Sequence, residues 1–84
     1  MDLARSAHWY RQAAEAGDAV AQLNLAEMYE HGWGVARDKV MAFIWYHRAA
    51  AQGRGWAADR RDRLAKRMTP TQLAEAKKAL LGAD

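Results

Sequence analysis

Three histidines, His8, His31 and His47, are the residues best suited to acid–base chemistry or metal ligation, and their spacing argues against both. Each falls on a different helical stretch, so no two share one helix at the spacing that brings two imidazoles to one metal ion. Glu27 and His31 are four apart and can meet on one helix face. A single carboxylate beside an imidazole near a helix C-terminus is explained by local electrostatics, because a protonated histidine suits that end. Gly32-Trp33-Gly34 lacks the preceding strand and further glycines of a phosphate-binding loop and reads as a turn. The 84 residues contain no cysteine, which removes thiolate ligands, cysteine nucleophiles and disulfides. The chain reads as non-enzymatic, with no cofactor and no metal.

Charge offers a different chemistry, that of binding. The net charge is +3, and the segment from Arg54 to Arg67 holds six basic and two acidic residues, so 6 − 2 = +4 lies there and −1 elsewhere. Such a stripe can attract nucleic acid or an acidic partner. Nucleic-acid binding is the weaker reading, because no aromatic platform or groove-reading motif accompanies the charge. Asp59/Arg63 and Asp62/Lys66 are acid-before-base pairs at i,i+4, expected to stabilise a solvated helix face.

The elements that position these residues repeat. Trp9-Tyr10 returns as Trp45-Tyr46 at a displacement of 45 − 9 = 36 residues, and Asp2/Asp38, Ala13/Ala49, Ala14/Ala50 and Gly17/Gly53 superpose at the same offset. A period of this size fits a helix-turn-helix unit that buries its apolar face by stacking on its neighbours. With no alternating apolar and polar run, the fold class is all-α: antiparallel helix-turn-helix repeats, about five helices, the last a C-terminal cap. Helices are expected from about Leu3 to Ala16, about Ala19 to His31, just after Asp38 to about Gln52, about Gly55 or Trp56 to Met68, and Pro70 to near Gly82. Asp2, Asp18 and Asp38 serve as N-caps, Gly17, Gly32 and Gly53 as stops, and Thr69-Pro70-Thr71-Gln72 as a capping box. Val35 should tuck inward from its loop, and Trp9 and Trp45, recurring with the period, should both pack.

The run Ala21-Gln22-Leu23-Asn24-Leu25-Ala26-Glu27-Met28-Tyr29-Glu30-His31-Gly32-Trp33-Gly34-Val35, continuing through Asp38, Ala42, Trp45, Tyr46, Ala49, Ala50 and Gly53, resembles the Sel-1-like repeat (SLR), a relative of the tetratricopeptide repeat. Ala26 and Ala36 depart from the glycine and proline common at those places. The resemblance covers nearly the whole chain and implies one domain over 1–84. Residues 2–17 are then the second helix of a partial repeat, 18–53 a complete repeat, and 54–84 a degenerate repeat helix plus the capping helix. It further implies a superhelical scaffold or adaptor for other proteins, without catalytic residues, in bacteria often in signalling, envelope or host-interaction settings. The alanine- and arginine-rich composition fits a bacterial source.

In helical solenoids the first helices of successive repeats line the concave face, where partner peptides lie. The period aligns Asn24 with Arg60 and Glu27 with Arg63. With Glu30 and Arg67 farther along the same faces, these form the expected polar groove for a protein or peptide partner. Trp33 and Trp56 break the repeat and are the candidate exposed anchors. The alternative is structural: Leu3, Ala7 and Tyr10 form an apolar edge that a homodimer or a longer repeat array would cover. No apolar run approaches the roughly 20 residues that span a bilayer, and no signal-peptide core follows Met1. A complete chain is thus expected in the cytoplasm without membrane contact, whereas a fragment would leave the compartment open.

Overall fold

The computed structural model describes residues 2–82. Met1, Ala83 and Asp84, which the expected span 1–84 includes, lie outside the described residues. Five helices follow in order: α1 (Leu3–Glu15), α2 (Ala19–His31), α3 (Lys39–Ala51), α4 (Gly55–Ala65) and α5 (Pro70–Gly82). There is no strand among the described residues.

Side chains close most of the helix starts. The Asp2 carboxylate accepts from the backbone N–H groups of Ala4 (3.1 Å) and Arg5 (3.2 Å), Asp18 from Ala21 (2.9 Å), and Asp38 from Met41 (3.1 Å). Before α5 the capping box is reciprocal: the Gln72 N–H donates to Thr69 Oγ1 at 3.1 Å, and the Thr69 N–H donates to Gln72 Oε1 at 2.9 Å. α4 differs at both ends. Arg54 supplies no side-chain cap, and the helix stops at Ala65 instead of the expected Met68. There the Arg67 and Met68 N–H groups turn back to the carbonyls three residues earlier, Leu64 (2.9 Å) and Ala65 (3.1 Å), tightening the chain out of the α-helix. Met68 is nonetheless buried under the turn.

α3 occupies the centre, packed on one side by α2 and on the other by α4 and α5, while α1 packs on α2. Being covered on both sides, α3 buries Ala42, Phe43, Ile44, Tyr46 and Ala49 as well as the expected Trp45. Leu25, Tyr46 and Leu64 are the largest fully buried side chains. In the joint between α2 and α3, Val35 packs against the core as expected. Gly34 there has φ +75°, and a Cβ on it would stand 2.2 Å from the Leu3 carbonyl oxygen, so the joint closes directly on the start of α1.

The two periodic tryptophans part company, correcting the expectation that both pack. Trp45 is 5% exposed and Trp9 62%. Trp45 lies beside the α1–α2 joint, sharing a small cleft with Ala14, Gly17 and Gln22, and carries the Arg48 guanidinium 4.8 Å above its ring. Among the described residues no helix covers the matching face of α1, which also leaves Leu3 and Tyr10 exposed. Ala7, expected on the same edge, is buried instead.

Candidate functional site

Glu30, on the last turn of α2, is the hub of the polar surface. The Tyr46 hydroxyl on α3 donates to its Oε1 at 2.6 Å, and Arg67 Nη2 donates to its Oε2 at 2.5 Å. Lys39 Nζ in turn donates to the Arg67 carbonyl at 3.2 Å, so the turn after α4 is held from both sides. Burial pushes the Glu30 carboxyl up, but the hydrogen bonds from Tyr46 and Arg67 and the charges of His31 and Arg67 outweigh it and hold it below its ordinary range. Burial and the adjacent Glu30 carboxylate push the Tyr46 hydroxyl far above its ordinary range, keeping it a donor. Buried tyrosine hydroxyls need such a partner.

One turn back on α2, Glu27 Oε2 faces Arg60 Nη1 across 3.7 Å, and the Arg60 guanidinium lies 5.4 Å from the Trp56 ring centre. Arg63 stands between Arg60 and Arg67 with no hydrogen-bonded or ion-paired partner among the described residues. Glu30, Arg60, Arg63 and Arg67 together line an open cleft of about 360 Å³. Asn24, Glu27 and Trp33 line a neighbouring cleft of about 250 Å³ with Leu3, Tyr10 and Met28. Asn24 itself is turned to its own helix, donating to the Val20 carbonyl at 3.1 Å. Trp33, half-exposed, stacks on His31 at 4.4 Å. Trp56 is equally exposed but lines neither cleft. Glu27 lines the second cleft and pairs with Arg60 of the first, so two shallow clefts stand where the sequence suggested one groove.

Several local pairings expected from spacing are replaced by others. Asp59/Arg63 and Asp62/Lys66 do not pair; Asp62 meets its neighbour Arg61 at 3.1 Å, and another Arg61 nitrogen lies 3.0 Å from His47 Nδ1. An exposed i,i+4 pair is worth only a few tenths of a kcal/mol, too little to hold long side chains in one geometry. Glu27 likewise takes Arg60, and His31 takes the Trp33 ring.

The roles of Tyr46 and Lys39 escaped the sequence reading. The sequence marks Tyr46 as the periodic counterpart of Tyr10, although its hydroxyl already called for a nearby acceptor. A third cleft of about 410 Å³, where Phe43, His47, Arg61, Leu73 and Lys77 come together from α3, α4 and α5, was missed as well. Its residues are separated by the α4–α5 turn and share no sequence period.

Chemically the α2–α4 surface offers guanidinium donors and ionised carboxylates. No three His, Asp or Glu side chains converge to hold a metal ion among the described residues, and no helix described is long and apolar enough to cross a membrane.

The Sel1 repeat family model matches residues 2–18 and 19–53. Among solved structures, the chain is similar to a protective antigen present in uropathogenic Escherichia coli strains that displays an SLR fold, with a TM-score of 0.87 and 36% sequence identity. The match covers 90% of this chain and spans 16% of that one. No curated protein sequence matches it significantly.

Proposed function

From a chain that belongs to the Sel1 repeat family, we propose a non-enzymatic adaptor that holds a protein or peptide partner on the face shared by α2 and α4, the concave face of the stacked repeats. The supporting observation is the cleft lined by Glu30, Arg60, Arg63 and Arg67, where ion pairs join α2 to the α4 region while Arg63 has no partner among the described residues. An open polar cleft with one uncompensated cation suits docking of a segment whose own groups complete the pairing. Asn24, Glu27 and Trp33 in the adjoining cleft, and Trp56 beside Arg60, extend the same surface. On this reading residues 2–17, 18–53 and 54–84 act as one domain, with the α2 and α4 faces continuous.

A nuclease-treated pull-down, followed by rebinding of each captured protein in purified form, tests it. The quadruple variant Asn24→Ala, Glu27→Ala, Arg60→Ala and Arg63→Ala, once shown to remain helical, should lose the partner. Equal binding by both chains would move the site elsewhere.

The exposure of Leu3, Trp9 and Tyr10 supports a second reading, in which another copy or a neighbouring repeat covers α1. Sedimentation equilibrium would then show a mass rising with concentration, and Trp9→Ala would suppress the rise. The nucleic-acid alternative is weakened by neutralisation of its stripe: Arg60, Arg61 and Arg67 each face a carboxylate.

A further inference from the structure

Trp56, Arg60, Arg63 and Arg67 recur at spacings of four, three and four residues, placing them along one side of α4 and its following turn. Arg60 and Arg67 are compensated by Glu27 and Glu30, whereas Arg63, which lines the cleft with them, pairs with no carboxylate among the described residues. Arg63 is thus the guanidinium open to an incoming anion. A guanidinium matches a carboxylate with two parallel N–H donors, which favours a planar acid over a diffuse negative surface. A phosphate backbone fits poorly, because successive phosphates would have to pass the Glu27 and Glu30 carboxylates that flank the same cleft.

Apolar contact lies at a set distance from Arg63. Trp56 is half-exposed and stands seven residues before Arg63, about 10 Å along a helix axis at 1.5 Å per residue. A peptide in the extended polyproline II conformation covers the same length in about three residues at about 3.1 Å each, and its threefold turn brings residues i and i+3 to one side. Resting on the docking face proposed above, we infer that the partner is an extended acidic peptide segment, its Asp or Glu carboxylate seated on Arg63 and a large apolar side chain three residues away lying against Trp56. The Glu27 and Glu30 carboxylates already neutralise the flanking guanidinium groups, so that Arg63 is the cation the segment meets.

Randomised eight-residue peptides displayed against the full chain, with the enriched sequences then measured individually by fluorescence anisotropy, test this directly. The enriched peptides should carry Asp or Glu three positions from a large apolar residue. Changing that acid to its amide should weaken binding about ten-fold, Arg63→Gln on the protein should do the same, and both changes together should cost no more than either alone, since they remove one contact. Arg63 is exposed and unpaired, so this variant is expected to fold; its helical circular dichroism checks that. Enriched peptides lacking any acidic preference, or binding unaffected by Arg63→Gln, would overturn the acidic-segment assignment. The docking face would survive that result if those peptides were still lost from the quadruple variant. Failure to enrich any peptide would overturn both, and a single-stranded oligonucleotide that binds only when Arg63 is present would assign Arg63 to phosphate instead.

Discussion

Gly34 is the position where a single added carbon does most harm. Its left-handed φ of +75° disfavours any side chain, and a Cβ would press on the Leu3 carbonyl oxygen at 2.2 Å, where backbone has to move. Gly34→Ala is expected to cost at least ~2 kcal/mol. Gly53→Ala, at φ +93° with open space around it, should cost about half as much because only backbone strain is added. Thermal or urea denaturation of the two variants separates the contributions. Glu30 makes a pH-dependent prediction. Its carboxyl titrates below the ordinary 4.5 in the folded chain, so its contribution is complete above that ordinary value and is lost as pH falls through the lowered folded one. Glu30→Gln should therefore destabilise by about 1–2 kcal/mol at pH 7. That difference should shrink in acid, as the native carboxylate is itself protonated. A difference constant from pH 7 to pH 2 would show that shape, and not charge, holds Arg67 and Tyr46.

At the scale of elements, α4 is the weak member. The 36-residue period places Arg54 where Asp18 caps α2, yet Arg54 caps nothing and puts a cation beside a helix N-terminus. Arg54→Asp should stabilise the chain by about 0.5–1 kcal/mol and slow amide hydrogen exchange in the first turn of α4; unchanged exchange there would show that the turn is held by packing alone. The same contrast explains what the sequence could tell. Caps at Asp2, Asp18, Asp38 and Thr69 act on N–H groups two to three residues away, so the starts of α1, α2, α3 and α5 are local facts and were legible. The end of α4 was not, because it depends on Met68 turning under the core. The period also aligned Glu27 with Arg63, whereas the pairs that form are Glu27–Arg60 and Glu30–Arg67, the second 37 residues apart. Long arginine side chains reach along the helix axis, and a backbone period cannot say which way.

Across the whole molecule, the chain is a short stack in which each helix pair is stabilised by its neighbours, with α3 buried at the centre and α1 open on its outer side. Membership of the repeat family was readable from the Gly32 to Gly53 segment. Exposure of Trp9 was not, because a periodic residue packs through what stands beside it in the stack, as Trp45 does beside Ala14, Gly17 and Gln22. The family and the stack leave several surfaces available: the α2–α4 face, the open side of α1 and the cleft between α3, α4 and α5. The proposed docking site is the first of these. A photo-crosslinking benzoylphenylalanine placed in turn at Asn24, at Asp59 one turn before Arg63 on α4, at Trp9 on α1 and at Lys77 in the third cleft, with crosslinked partners identified in cells that express the chain, tests that choice most directly. One partner should be captured from Asn24 and Asp59 and not from Trp9 or Lys77; capture of that partner from Trp9 or Lys77 with none from the α2–α4 face would contradict the assignment.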